Sequence, residues 1–122
     1  MHLNLERPDQ HAVQSYGISE IKINDVVYQQ SIVVSRQQIL TEWPVKSIKE
    51  LDIDSLDILV AQKPEIIIIG HQENGQFAPA SVMAFLSQKR IGIECMSLGA
   101  ACRTYNILLG EQREVVFGVI FE

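Results

Sequence analysis

The sequence predicts an α/β fold, a single compact domain with a central mixed sheet, flanking helices and an N-terminal β-hairpin. Two observations predict it. Residues 66–69 form a continuous β-branched run, followed by a helical pattern over residues 79–90 and a second apolar run over residues 91–96. Strand, helix and strand in that order imply a right-handed crossover and parallel pairing of the two strands. In addition, residues 18–23 alternate isoleucine with polar residues, which is typical of a half-buried strand.

The chain begins with a segment that shows no usable periodicity. Residues 1–14 include Pro8 and mix charged with polar side chains, so we expect an N-terminal arm there. The remaining residues, 15–122, fall within the usual size of one domain and are enough to bury a core without disulfides or metal. We therefore expect one α/β domain preceded by a short arm.

The first structured segment has the pattern of a hairpin. An alternating run over residues 18–23 and a β-branched run over residues 26–35 are separated by Asn24 and Asp25. Asn and Asp tolerate positive φ, and the pair therefore predicts a tight turn. Residues 39–43 predict a short third strand.

The rest of the chain alternates helical patterns with strand patterns. A short helix begins at Asp54, the predicted N-cap, because three apolar residues then fall on one face. The run at 66–69 has the composition of a strand covered on both faces and should be the central strand. The elements predicted after it are a helix over 79–90, a buried strand over 91–96, a helix over 97–109 and a strand over 113–121.

Composition and charge exclude several classes of protein. Ten basic and fifteen acidic residues give a formal charge of −5, so the chain lacks a broad positive field and we expect no nucleic-acid partner. The longest apolar run is far shorter than the roughly 20 residues that span a bilayer, so we expect no membrane-spanning segment. Residues 1–15 lack the apolar stretch of a signal peptide, and the cytoplasm is the expected location.

The two cysteines do not predict a metal site. Cys95 and Cys102 stand on different predicted elements, with no CxxC pair and no nearby histidine, which is not the spacing of zinc ligands. We expect both thiols to be reduced. The spacing of Gly70 and Gly75 matches no phosphate-binding glycine motif. We therefore expect neither a metal nor a cofactor.

The candidate site lies where the two predicted parallel strands end. In open α/β sheets, ligands collect beyond the carboxyl ends of the strands, and residues 70–79 and 95–100 leave those ends. The small side chains after Ser97 would leave the first N–H groups of the helix open to an anion, and Arg103 would add a forked cationic contact. Alternatively, these small residues pack closely on the sheet, and Arg103 pairs with Glu94 or a loop carbonyl.

Two titratable side chains in this region have alternative interpretations. Glu94 points to a solvated edge, pairs with Arg103 or does acid–base work. His71 is either a general base or ligand, or a solvent-facing loop residue. No catalytic residue is assigned, because no base is evident near the cysteines. The candidate ligand-binding residues are Gly70, His71, Glu94, Ser97, Gly99, Arg103 and Asn106.

Several blocks of the sequence resemble one known family. They are SYG at 15–17, INDVVYQQSIVVS at 23–35, Trp43-Pro44, PEIIIIG at 64–70, FAP at 77–79, and IECM followed by AACRTYNIL. In these blocks the chain resembles the domain of unknown function 498 family, over about residues 13–121. The most specific block is AACRTYN, residues 100–106.

The resemblance implies a compact α/β domain with a central mixed sheet, and it brings no established enzymatic activity. The family includes the mitochondrial complex I assembly factor 3 and the adipogenesis-associated relative. Members often carry GTG and MDT where this chain has Gly70-His71-Gln72 and Met96-Ser97-Leu98. Because a hydroxyl and a carboxylate are lost there, a shared catalytic role is weakened.

We therefore favour a protein-interaction or assembly module, whose partners would be other proteins of respiratory or membrane complexes. The alternative is a small-anion-binding protein or enzyme with its crevice at the carboxyl ends of the parallel strands. A homo-oligomer would use apolar edges, notably the N-terminal hairpin or the last strand.

Overall fold

The computed structural model describes residues 11–122, and most of the predicted arm, residues 1–10, lies outside them. The described residues form a three-stranded sheet, a five-stranded sheet and three α-helices. The strands are β1 (Val13–Gly17), β2 (Glu20–Ile23), β3 (Val26–Tyr28), β4 (Ile32–Val34), β5 (Ile39–Leu40), β6 (Ile66–His71), β7 (Gly92–Ser97) and β8 (Val115–Val119). The helices are α1 (Ile53–Val60), α2 (Ala80–Gln88) and α3 (Leu98–Gly110), with a 3-10 helix at Ile48–Glu50.

The larger sheet has the strand order β5–β4–β8–β6–β7. Strand β6 runs parallel to both β7 and β8, and β4 runs antiparallel to β8, so the sheet is mixed. The predicted α/β fold and the parallel pairing around a crossover helix are confirmed. The prediction that β6 is the central strand is wrong. Strand β8 takes the centre, where all five of its residues are buried and Gly118 leaves room for the ring of Trp43.

The N-terminal segment forms more than the predicted hairpin. The turn between β2 and β3 lies at Asn24 and Asp25, whose φ angles of 52° and 64° are positive, so the predicted turn is confirmed. Strand β1 begins at Val13, within the segment predicted as an arm, and pairs with β2. A second tight turn, with Ser19 at a φ of 59°, joins these two strands. The hairpin is therefore part of a three-stranded antiparallel sheet.

The run over residues 26–35 does not form one strand. It divides into β3 in the small sheet and β4 in the large sheet, and Ser31 lies at the division. The buried Ser31 hydroxyl donates to the Val45 carbonyl and accepts from the Phe121 N–H at 2.9 Å. These bonds satisfy a buried polar group and hold the chain where it leaves one sheet for the other.

The N-cap of α1 is Asp52 and not the predicted Asp54, which lies in the first turn. The Asp52 carboxylate accepts the Ser55 N–H at 2.8 Å, and the Ser55 hydroxyl accepts the Asp52 N–H at 2.9 Å. This reciprocal capping box satisfies backbone N–H groups that a helix start otherwise leaves unpaired. Asp54 still complements the positive end of the helix dipole.

Strand β7 is an edge strand, whereas the sequence predicts it to be buried. Among the described residues it pairs with β6 alone, and Glu94 and Ser97 are exposed. The last strand is not an exposed edge, because β8 lies between β4 and β6. Strand β5 is shorter than the predicted 39–43 and pairs with β4 at the other edge. A homo-oligomer stays a prediction.

The larger sheet separates two apolar clusters. On one side, α3 and the small sheet cover Ile68 and Phe117. On the other side, α1 and α2 cover Ile67 and Ile69. Successive residues of a strand point to opposite faces, so a strand covered on both faces is apolar at every position. This explains the continuous isoleucine run of β6.

We expect Gly70→Ala to lower the free energy of unfolding by about 1–3 kcal/mol, the usual cost of overpacking a core. A Cβ at Gly70 would lie 2.8 Å from the Cβ of Ala101 and 3.1 Å from the ring of Phe117. Gly92→Ala is the matched control, since the nearest atom, on Ile66, would lie at 3.6 Å. Urea denaturation measures both variants. Equal free energies of unfolding would contradict the close approach of α3 to β6.

Candidate functional site

The parallel strands β6 and β7 end side by side. Gly70 is in register with Met96, and His71 is in register with Ser97. Helix α3 begins directly after β7, with Ser97 as its N-cap residue, although the Ser97 side chain makes no capping hydrogen bond. The predicted proximity of the two strand exits is therefore confirmed.

A depression of about 410 Å³ lies at these strand exits, and we call it the exit depression. The strand ends and the start of α3 form one part of its wall, and the β1–β2 turn forms the other. The lining residues are Tyr16, Gly17, Ile18, His71, Gln72, Asn74, Ser97, Leu98 and Gly99. Two segments distant in sequence thus meet at one surface.

Tyr16 lies over the first turn of α3. A Cβ at Gly99 would stand 2.5 Å from the Tyr16 hydroxyl oxygen and 2.9 Å from its Cζ, so the glycine permits this contact. Tyr16 remains 48% exposed, and Ile18 is 90% exposed at the turn. Sequence reasoning missed both residues as site residues. The alternating run predicts Ile18 in a strand over residues 18–23, but Ile18 lies in the turn between β1 and β2, so no local pattern marked it as a site residue.

His71 is the buried titratable residue of the exit depression, and the solvent-facing interpretation is wrong. Its Nδ1 accepts a hydrogen bond from the Glu73 N–H at 3.1 Å. Burial lowers the pKa of the imidazole, and the Glu73 carboxylate opposes this shift. A neutral imidazole that accepts at Nδ1 carries its proton at Nε2. At neutral pH the side chains that line the exit depression are therefore uncharged.

Glu73 also fixes the loop that follows β6. Its carboxylate accepts the Ile48 N–H at 2.9 Å and the Ser47 hydroxyl at 3.1 Å. The loop is thereby tied to the 3-10 helix before α1. This bracing holds one wall of the exit depression, which Gln72 and Asn74 line.

Glu94 and Arg103 lie outside the exit depression. Both residues are exposed, and within residues 11–122 no hydrogen bond or ion pair joins one to the other. Glu94 takes the solvated edge that β7 forms, which was one of its three interpretations. Arg103 follows the first turn of α3 on the exposed side of that helix.

Asn106 binds the backbone of this chain. Its amide nitrogen donates to the Val13 carbonyl at 2.9 Å, and its amide oxygen accepts the Val13 N–H at 2.9 Å. The neighbouring Tyr105 donates to the His11 carbonyl at 3.1 Å, and its ring centroid lies 5.0 Å from that of Phe117. The end of the AACRTYN block therefore fastens β1 to α3.

The candidate residues thus fall into two groups. His71, Ser97 and Gly99 line the exit depression, and Gly70 directly precedes His71 in β6. The remaining three lie elsewhere, namely Glu94, Arg103 and Asn106. The anion pocket built on Arg103 therefore loses its cationic contact.

Neither cysteine has the properties of a reactive nucleophile. Burial raises the pKa of the Cys95 thiol to about 11 and that of the Cys102 thiol to about 12, so both are protonated at neutral pH. Within residues 11–122, no group of three or more His, Cys, Asp and Glu side chains is placed to hold a metal ion. Among the helices of the described part of the chain, none has the length and apolar character needed to cross a membrane.

These features define a small α/β domain with a concave surface built from uncharged side chains at the exits of two parallel strands. Residues 13–120 match the family described as protein of unknown function (DUF498/DUF598), and the chain belongs to this family. The resemblance seen in its sequence blocks is confirmed.

Relatives of the chain carry different names. It is 29% identical over 89 residues to the 13 kDa major membrane protein of Francisella tularensis, covering 72% of both chains. It is 26% identical over 76 residues, 61% of its length, to NADH dehydrogenase (ubiquinone) 1 alpha subcomplex assembly factor 3 of Xenopus tropicalis, and it spans 42% of that protein. An NMR structure from Xanthomonas campestris is 35% identical, with a TM-score of 0.83, and the match covers 98% of this chain and 92% of that one.

We expect Asn106→Ala to lower the free energy of unfolding by about 1–3 kcal/mol, because the Val13 N–H and carbonyl lose their partner. Arg103→Ala lies one turn earlier on the same helix and is the control. Since Arg103 is exposed, its replacement should change stability by less than about 0.5 kcal/mol. Urea denaturation measures both. An equal loss in the two variants would contradict the exposed position of Arg103.

We expect His71 to make stability depend on pH. Its pKa is lower in the folded chain than the ordinary 6.5, so the unfolded chain binds the proton more tightly. The stabilisation is complete above pH 6.5 and is lost as the pH falls from there toward the folded pKa. His71→Gln keeps a hydrogen-bond acceptor and removes the titration. Free energies of unfolding at about pH 7.5 and about pH 5.5 should differ more for the wild type than for this variant; an identical pH dependence would contradict the lowered pKa.

Proposed function

We propose that the chain is a protein-interaction module that takes part in the assembly of a respiratory or other membrane complex. The relative from Xenopus tropicalis is named as an assembly factor of NADH dehydrogenase, which supports this role. The chain spans less than half of that relative, so the proposal concerns the shared domain. The proposal includes a cytoplasmic location, with which the absence of a disulfide between Cys95 and Cys102 is compatible.

The observation that carries the proposal is the exit depression with its exposed rim. Ile18 is 90% exposed and Tyr16 is 48% exposed, and both line the depression beside Leu98. Exposed aromatic and aliphatic side chains around a concave surface are typical of protein-binding sites. The partner surface would be a largely apolar protrusion with a few groups that hydrogen-bond to Ser97 or Asn74.

Of the candidate residues predicted from the sequence, His71, Ser97 and Gly99 are the proposed contact residues. Gly70 is buried behind them and supports the packing of α3 on β6. A small-anion site at the same place has less support, because the lining side chains are uncharged and Arg103 is not among them. A partner protein could bind at the exit depression without a cationic side chain in its lining.

We expect Ile18→Glu to weaken the binding of the partner protein. The tagged chain, produced at its native level in its own organism, is immunoprecipitated, and co-purifying subunits are quantified by mass spectrometry. A charged side chain at the rim should lower recovery about tenfold, which corresponds to about 1.4 kcal/mol of binding free energy.

Ile107→Glu is the matched control, because Ile107 is 61% exposed on α3 and does not line the depression. This variant should recover the same subunits as the wild type. Recovery of no stable partner by the wild type would contradict the interaction role. Equal recovery by the two variants would contradict the location of the binding surface.

A further inference from the structure

A second groove, of about 370 Å³, lies between residues 42–45 and the start of α1. It shares no lining residue with the exit depression. Its lining residues are Glu42, Trp43, Pro44, Val45, Glu50, Asp52, Asp54, Ser55 and Ile58. We call it the acidic groove.

The floor of the acidic groove is apolar. Trp43 is 4% exposed, and its indole N–H donates to the Ser55 carbonyl at 2.9 Å, which fixes the ring against the start of α1. Pro44 is exposed and Ile58 is half-buried, so apolar surface remains accessible beside the ring. A floor of this kind suits an aliphatic or aromatic side chain from another molecule.

The rim of the acidic groove carries four exposed carboxylates. Two of them accept hydrogen bonds from the backbone. Glu50 accepts the Lys46 N–H at 2.9 Å, and Asp52 caps α1. The carboxylates of Glu42 and Asp54 form no ion pair or hydrogen bond with another of residues 11–122. Negative charge is therefore available around an apolar floor.

The distribution of this charge indicates the kind of partner. The rim carboxylates come from three segments, namely Glu42 in a loop, Glu50 in the 3-10 helix, and Asp52 with Asp54 at the start of α1, so the charge suits several separated cations. Lysine and arginine side chains on one polypeptide supply such cations at residue spacing, and an apolar residue between them would reach the floor. Charge complementarity of this kind selects partners and speeds association.

We propose that the acidic groove binds a polypeptide segment in which an apolar residue is flanked by lysine or arginine residues. The apolar residue contacts Trp43, Pro44 and Ile58, and the basic residues contact Glu42 and Asp54. This surface is separate from the exit depression. A module with both surfaces holds two partner segments at once.

Trp43 provides a direct readout, because it is the one tryptophan of the chain. The probe is a tryptophan-free, acetylated and amidated peptide in which two leucines are flanked on each side by two lysines and an arginine. Titration of this peptide into the full chain at low salt should change the Trp43 emission saturably. Because exposed charges are screened by salt, the affinity should fall when the ionic strength is raised to about 0.5 M.

The variant that tests the rim is Glu42→Gln/Asp54→Asn, which should weaken peptide binding about tenfold. Its control is Glu111→Gln/Glu122→Gln, which removes the same charge at exposed positions outside the groove and should bind as the wild type does. Glu42→Gln alone gives a second test if the double variant is less stable, since Glu42 lies outside every helix and strand.

Three results would overturn the proposal. They are no saturable change in Trp43 emission, equal weakening in the rim and control variants, and equal affinity for spermidine, which has the cations without the apolar residue. The Ile18→Glu variant should bind the peptide normally. Failure at the acidic groove is thereby distinguished from failure at the exit depression.

Discussion

The parallel pairing of β6 with β7 is the constraint on which the exit depression depends. This pairing aligns His71 with Ser97, so that the loop after one strand and the helix after the other begin at the same edge of the sheet. Strand β1 completes the surface because its residue Tyr16 reaches Gly99. Asn106 holds the strand that carries Tyr16 against α3 through both backbone groups of Val13.

The parts of the fold that follow from local pattern could be predicted from the sequence. The isoleucine run of β6 and the Asn24-Asp25 turn carry their own physical causes, which are burial on both faces and tolerance of positive φ. The central position of β8 could not be predicted, because strand order depends on pairing between distant segments. The break at Ser31 was hidden for the same reason, since its partners Val45 and Phe121 lie far along the chain.

The candidate site, like the fold, could be predicted from the sequence only in part. His71 and Ser97 come together because each is the last residue of a parallel strand, and Gly99 lies two residues after Ser97. Glu94 lies outside the depression because β7 is an edge strand, which leaves this carboxylate at the solvated edge. Arg103 lies outside it because it is on the exposed side of α3. Asn106 was assigned to a ligand because its true partner, Val13, lay in a segment without a recognisable pattern. Tyr16 and Ile18 enter the site only through the packing of the small sheet on α3.

The most direct test of the shared strand exits is a nuclear Overhauser measurement on the isotopically labelled chain. The parallel register predicts cross-strand contacts between the backbone protons of β6 and β7 around the pairs Gly70–Met96 and His71–Ser97. It also predicts contacts from the Tyr16 ring to the α protons of Gly99. Strong contacts at these positions are the expected result. Their absence, together with contacts that place β7 antiparallel to β6, would leave the exit depression without a structural basis.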